Sequence, residues 1–232
     1  MTKKDFLSIR LTGREKRWGF GYLAFQLLFL PQLFNIAILL LPISLDSTQV
    51  NMLYFSLNFL AVVLIFPRYL LSFFPISGKQ LLRILAMGAA FFVLYWLLSL
   101  AIGYLVGLIQ PEFTNKNDQN IIGMAQGNYG LIFVATVILA PITEECFYRG
   151  VLFRGLYDHS PILAWVVSVA VFAAIHVIGY ISVLSPLALV LSFVQYLPAG
   201  LCLAASYRLT GSLLCPILIH AAINATGMLV LR

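Results

Sequence analysis

The chain is predicted to be an all-α, polytopic transmembrane bundle of about seven helices, and three observations predict it. Of its 232 residues 62% are hydrophobic and only 9% are charged, whereas a soluble domain carries about 25% charged residues. Mean hydropathy is +0.98. Apolar runs near 20 residues, the length of one crossing, recur along the whole chain and divide it into roughly seven to eight segments. Hydrocarbon offers the backbone no hydrogen-bond partner, so runs of this length are expected to be helices.

The first run, 18–41, follows a segment holding Lys3, Lys4, Arg10, Arg14, Lys16 and Arg17. No small-residue cleavage site ends it, so it is expected to be a retained first helix rather than a removed signal peptide. The second run is 50–66, and the stretch 66–77, broken by Pro67 and Pro75, reads as an interfacial piece or a short eighth helix. The third, 84–109, contains Gly103 and Gly107 in a GxxxG spacing that suggests close helix packing. Residues 110–128 read as a polar connector holding Glu112, Lys116 and Asp118. Four more helices follow at 129–157, 161–178, 182–207 and 212–231.

Fourteen Lys and Arg against eight Asp and Glu give a net charge of +6. The basic residues sit at the ends of apolar runs and form no long stripe, so they read as topology signals in contact with the lipid bilayer, and nucleic acid is not an expected partner. With the amino terminus in the cytoplasm, one side collects the six basic residues of the first segment plus Arg68, Lys79, Arg83, Arg154 and Arg208, leaving Lys116 and Arg232 on the other. The expectation is an integral membrane protein with its amino terminus inside and seven crossings. Cys146, Cys202 and Cys215 lie in apolar runs without CxxC spacing, and read as small core residues.

A charge within an apolar helix needs a partner or a wet cavity, so each such residue is a functional candidate. Glu145 and Arg149 are spaced to pair on one helix face, while Glu144 is turned about 100° away and stays free for another partner. His176 follows Phe172 by one turn, and His220 and Asn224 share one face of the last helix. His159 falls in a polar turn and reads as loop chemistry. From that turn, Glu145 and His176 are each roughly 20–25 Å away along antiparallel helices, and His220 and Asn224 are about 14–20 Å into the last helix, so the four levels are compatible.

Such a set has two chemistries. As a metal site, Glu144, His176 and His220 would supply three zinc ligands and leave a position for water. Without metal, Glu144 would be the general base, His176 would position the water, and His220 with Asn224 would hold the oxyanion. Glu145 and Arg149 would fix the helix that presents Glu144. HExxH, serine and aspartyl intramembrane signatures and a Walker loop are all missing.

These residues, Glu144, Glu145 and Arg149, then Phe172 and His176, then His220 and Asn224, resemble the three motifs of the CAAX-protease and bacteriocin-processing (CPBP, or Abi) intramembrane protease family. The resemblance covers about residues 130–230. It implies a glutamate-dependent endopeptidase in the membrane, of bacterial cell membrane origin, acting on a membrane-associated protein or peptide. Prenylated protein trimming, bacteriocin or leader-peptide processing and self-immunity are the activities it brings, with Zn2+ as a cofactor left open. It divides one integrated membrane domain into residues 1–128, with the first three helices, and a catalytic core at 129–232. The competing expectations are an ion-coupled transporter, for which no internal repeat is visible, and a non-catalytic immunity or scaffold protein.

Overall fold

The computed structural model describes residues 10–40, 42 and 44–230. Lys3, Lys4, Leu41, Leu231 and Arg232, which entered the sequence reading, lie outside them. Among the described residues the chain is helical throughout: α1 (Gly13–Leu28), α2 (Leu30–Leu39), α3 (Ser47–Ile65), α4 (Pro67–Leu71), α5 (Gly78–Ile109), α6 (Lys116–Tyr157), α7 (Pro161–Ile175), α8 (Pro186–Thr210) and α9 (Leu214–Val230). The all-α membrane bundle expected from composition is what forms.

Each start is marked in the sequence. Thr12 with Glu15, Asp46 with Gln49, and Ser77 with Gln80 close reciprocal capping boxes on α1, α3 and α5. Ser160 and Ser185 cap α7 and α8, each followed by a proline at the first helical position. Gly211, at φ 70°, ends α8 in the left-handed conformation.

Several expectations are corrected. The first predicted helix is two, α1 and α2, bent by 60° at Phe29, with Pro31 opening the second. The polar stretch 110–128 is no connector: from Lys116 it is the first part of α6, which kinks at Asn128 (φ −153°, ψ 89°) and runs on to Tyr157. Amide and Asp side chains there bond across to α8 and Tyr180, which stabilises a helix too polar for an apolar-run criterion. By length and composition α3, α5, α6 and α8 can cross a membrane; α1 and α2 meet the same test only when taken together, as a broken span or a re-entrant loop, and α7 and α9 are shorter apolar helices. Residues 66–77 contain the short helix α4. Added Cβ atoms at Gly103 and Gly107 would meet nothing within 4 Å, so among the described residues no helix packs closely on this GxxxG.

The core lies between α6, α7 and α8, closed at one end by α1 and α4. Glu15 of α1 is 3% exposed and accepts the Tyr69 backbone N–H at 2.9 Å, an orphan donor in the first turn of α4. Val62, Phe66, Phe147, Val151 and Phe153 are fully buried around this joint. Cys146, Cys202 and Cys215 are buried free thiols, as expected of small core residues. On the outside, α5 shows Leu82, Leu97, Leu100 and Leu108 60–70% exposed, an apolar surface suited to lipid.

Gly200 of α8 packs directly on α7: a Cβ there would stand 3.0 Å from Val169 Cγ1 and 3.4 Å from the Val169 carbonyl oxygen. Gly200→Ala is therefore expected to destabilise the bundle by about 1–3 kcal/mol, read as a lower thermal midpoint of the detergent-solubilised chain.

Candidate active site

Two π-helical stretches, Val134–Leu139 and Cys146–Phe153, flank the single α-helical segment Ala140–Glu145 that carries both glutamates. Such turns are rare and recur at functional sites. In the first stretch the Ala140 N–H bonds five residues back, to the Ala135 carbonyl. That register would assign the next carbonyl, Thr136, to residue 141, which is proline and has no N–H. Asn224 Nδ2 donates to this carbonyl instead, at 2.7 Å. One of the residues expected at the oxyanion thus also latches α9 to α6.

Glu145 and Arg149 pair as their spacing predicts, with Arg149 Nε 3.1 Å from Glu145 Oε2 and both side chains at 0% exposure. The pair ties four helices together. Glu145 Oε1 accepts from His220 Nδ1 on α9 at 3.0 Å, Arg149 Nη2 donates to the Gly200 carbonyl on α8 at 3.2 Å, and the guanidinium lies 4.7 Å over the Phe172 ring of α7. Phe172 carries both histidines on its flanks, its centroid 4.9 Å from His176 and 5.7 Å from His220.

Glu144 faces the other way, as the helical arithmetic requires. Its Oε2 has no hydrogen-bond partner and lies 4.0 Å from His220 Nε2. Because Glu145 accepts the Nδ1 hydrogen of His220, Nε2 is the nitrogen turned to Glu144. His176 ends α7, and its Nδ1 contacts the Phe172 carbonyl at 2.7 Å. A carbonyl only accepts, so the proton sits on Nδ1 and leaves the Nε2 lone pair open.

These groups line one end of a cavity of about 1050 Å³. Tyr95 and Trp96 of α5 and Gln26 near the α1–α2 bend form its flank, and Asn115, Asn117, Asp118 and Asn120 of the α6 entry its far end. Sequence reasoning missed the link between the two ends, Tyr196. Its ring stacks on His176 at 4.2 Å and 24°, and its hydroxyl bonds Asn117 (3.1 Å), Asp118 (3.2 Å) and Asn115 (3.3 Å). The signal was present: Gln195 and Tyr196 are a polar pair inside an otherwise apolar helix.

Glu144, Glu145, Arg149 and His220 are therefore brought into one contact network, with His176 joined through Phe172 and Asn224 through Thr136. Among the described residues, no three His, Cys, Asp or Glu side chains gather into a group that would hold a metal ion. Glu144, His176 and His220, the expected zinc set, all line the cavity, and no step below runs through a metal.

Residues 126–226 match the family model described as Rce1-like, type II CAAX prenyl endopeptidase. Every residue of the network and all three resemblance motifs lie inside that span, and the resemblance read from them is borne out. The match supports a membrane endopeptidase, hence a hydrolase of membrane-associated protein, in general terms. No curated protein and no solved structure matches the chain.

Proposed function

From a chain whose residues 126–226 match the Rce1-like CAAX endopeptidase model, we propose a glutamate-dependent intramembrane endopeptidase that hydrolyses a peptide bond of a membrane-associated protein or peptide. The observation that carries this reading is the unpartnered Glu144 Oε2 facing His220 Nε2 at 4.0 Å on the wall of the cavity. A gap of that size suits a bridging water.

In the proposed reaction Glu144 takes a proton from a water oriented by the free Nε2 of His176, and the water oxygen bonds to the amide carbon. The oxyanion is held by a protonated Nε2 of His220 and by the second N–H of Asn224, its first being given to Thr136. Glu144 then passes the proton to the leaving nitrogen, and the C–N bond breaks. Glu145 and Arg149 act as positioning residues, holding His220 and the helix that presents Glu144.

The test is mapping of new peptide termini, by mass spectrometry, in membranes holding equal amounts of wild type or Glu144→Gln. Termini that require Glu144 are expected; identical sets from the two chains would overturn the reading. A membrane-permeant zinc chelator is expected to leave those cleavages in place. Loss of cleavage that zinc restores would overturn the metal-free chemistry alone.

Tyr196 gives a finer check. Tyr196→Ala removes the surface on which His176 stacks and is expected to lower kcat by about 10²-fold, the cost of a misplaced catalytic group, with KM little changed. Tyr196→Phe keeps the stack and is expected to restore most of kcat. Equal loss in both variants would show that the hydroxyl network, and not the ring, matters.

A further inference from the structure

The buried polar atoms that lack partners gather in one place. With the ion-paired Glu145, Arg149 and Arg154 set aside, those among the described residues are Gln26 Oε1, Ser99 Oγ, Thr143 Oγ1, Glu144 Oε2 and Ser192 Oγ. All but Ser192 line the same chamber. The proposed chemistry uses Glu144; it leaves the other three without a role. A buried polar atom without a partner destabilises the free chain, and native structures keep few of them.

Thr143 is the clearest case. A threonine inside a helix can give its hydroxyl to the carbonyl one turn back, and Thr136, Thr210 and Thr226 do so, to Ile132, Ser206 and Ala222. Thr12, Thr48 and Thr114 have hydrogen bonds as well. Thr143 is 2% exposed and stands directly before Glu144, yet its hydroxyl has no partner. The carbonyl one turn back belongs to Leu139, at the seam between the first π-helical stretch and the α-helical segment.

The other two atoms come from outside the family match, Gln26 from α1 and Ser99 from α5. Ser99 has the Tyr95 hydroxyl beside it, and Gln26 turns its amide nitrogen to the Tyr54 hydroxyl. That leaves the Gln26 carbonyl oxygen and the Thr143 hydroxyl. The first only accepts a hydrogen bond, and the second accepts or donates. A hydrocarbon tail satisfies neither, whereas a peptide main chain offers an N–H and a C=O at nearly every residue. A hydrolase must also hold that main chain in register with its base.

We propose that Thr143 Oγ1 and Gln26 Oε1 bind the main chain of the substrate, Thr143 next to the scissile bond and Gln26 at one N–H of a flanking residue. The proposal rests on the protease reading for its ligand. It gives α1, which the family match does not reach, a share in the site.

The test uses the full chain carrying Glu144→Gln, which is expected to hold a peptide without cutting it, and a peptide spanning a mapped cleavage. Thr143→Val keeps the shape and drops the hydroxyl, and is expected to weaken peptide binding about three- to tenfold. The thermal midpoint of the peptide-free chain is expected to stay level or rise, because an unmatched polar atom has been removed. Thr143→Ser is expected to bind as the parent does. Unchanged binding in Thr143→Val, or a lowered midpoint, overturns the role of Thr143. For Gln26 the peptide is N-methylated at one residue at a time. One of these methyl groups is expected to weaken binding to the parent and to cost nothing further in Gln26→Met; a scan in which every methyl group costs both chains equally overturns the role of Gln26. A wild-type chain that cuts no peptide would end the protease reading and this proposal together. Glu144-dependent cutting, with variants that bind as the parent does, would end this proposal alone.

Discussion

Glu144→Gln is expected to lower turnover by about 10²–10⁴-fold, the range for loss of a general acid–base group, while the chain accumulates and melts like the wild type. The carboxyl oxygen that faces His220 makes no hydrogen bond, so an isosteric amide removes the proton acceptor and leaves the packing intact. Its neighbour is expected to behave differently. Glu145→Gln weakens the ion pair with Arg149 and the hydrogen bond from His220 together, so stability falls along with rate. Rate measured on reconstituted chain, beside the thermal midpoint of each variant, separates the two roles: a Glu144→Gln chain with wild-type turnover would remove Glu144 from the chemistry.

The largest expected loss of stability is at Arg149. Its side chain is fully buried and joins Glu145, the Gly200 carbonyl and the Phe172 ring. Arg149→Met leaves Glu145 as a buried carboxylate stripped of its cation, which costs about 3–5 kcal/mol. The double variant Glu145→Gln, Arg149→Met removes both charges and is expected to regain part of that loss, since a buried pair is worth less against a neutral pair than its halves are against one another. Thermal unfolding of the three chains measures this, and additive losses would show that the pair is not coupled. Activity is not expected to return with stability, because His220 has still lost its carboxylate partner.

The helical bundle was legible because hydrocarbon leaves few options: apolar runs of crossing length are helices, and their ends carry Thr12, Asp46, Ser77, Ser160 and Ser185 as caps. The pairing of Glu145 with Arg149 was legible for the same local reason, a spacing of four. What failed to show was anything set by tertiary contact. The entry to α6 is helical because Asn115 and Asn117 find Gln195 and Tyr196 nearly 80 residues away, a partnership that no window of hydropathy contains. The bend at Phe29 was hinted at by Pro31, yet a proline near a helix start is also compatible with a straight helix, and only packing decides. The helical depth arithmetic put both histidines at the level of the glutamates, but it could not tell that Phe172 stands between their rings.

A π-helical stretch climbs the same distance as an α-helix while using about one residue more, so α6 is a helix that carries insertions. Deleting one residue within 134–139 would let that stretch rewind as α-helix and leave the two halves of the helix in register. Glu144 would then keep its place on the chamber wall. Length and hydropathy of the span would hardly change, so insertion into the bilayer would proceed as before. The loss of one codon there would thus be absorbed, whereas the same loss within 140–143, where the helix is α, would turn Glu144 about 100° against the preceding half.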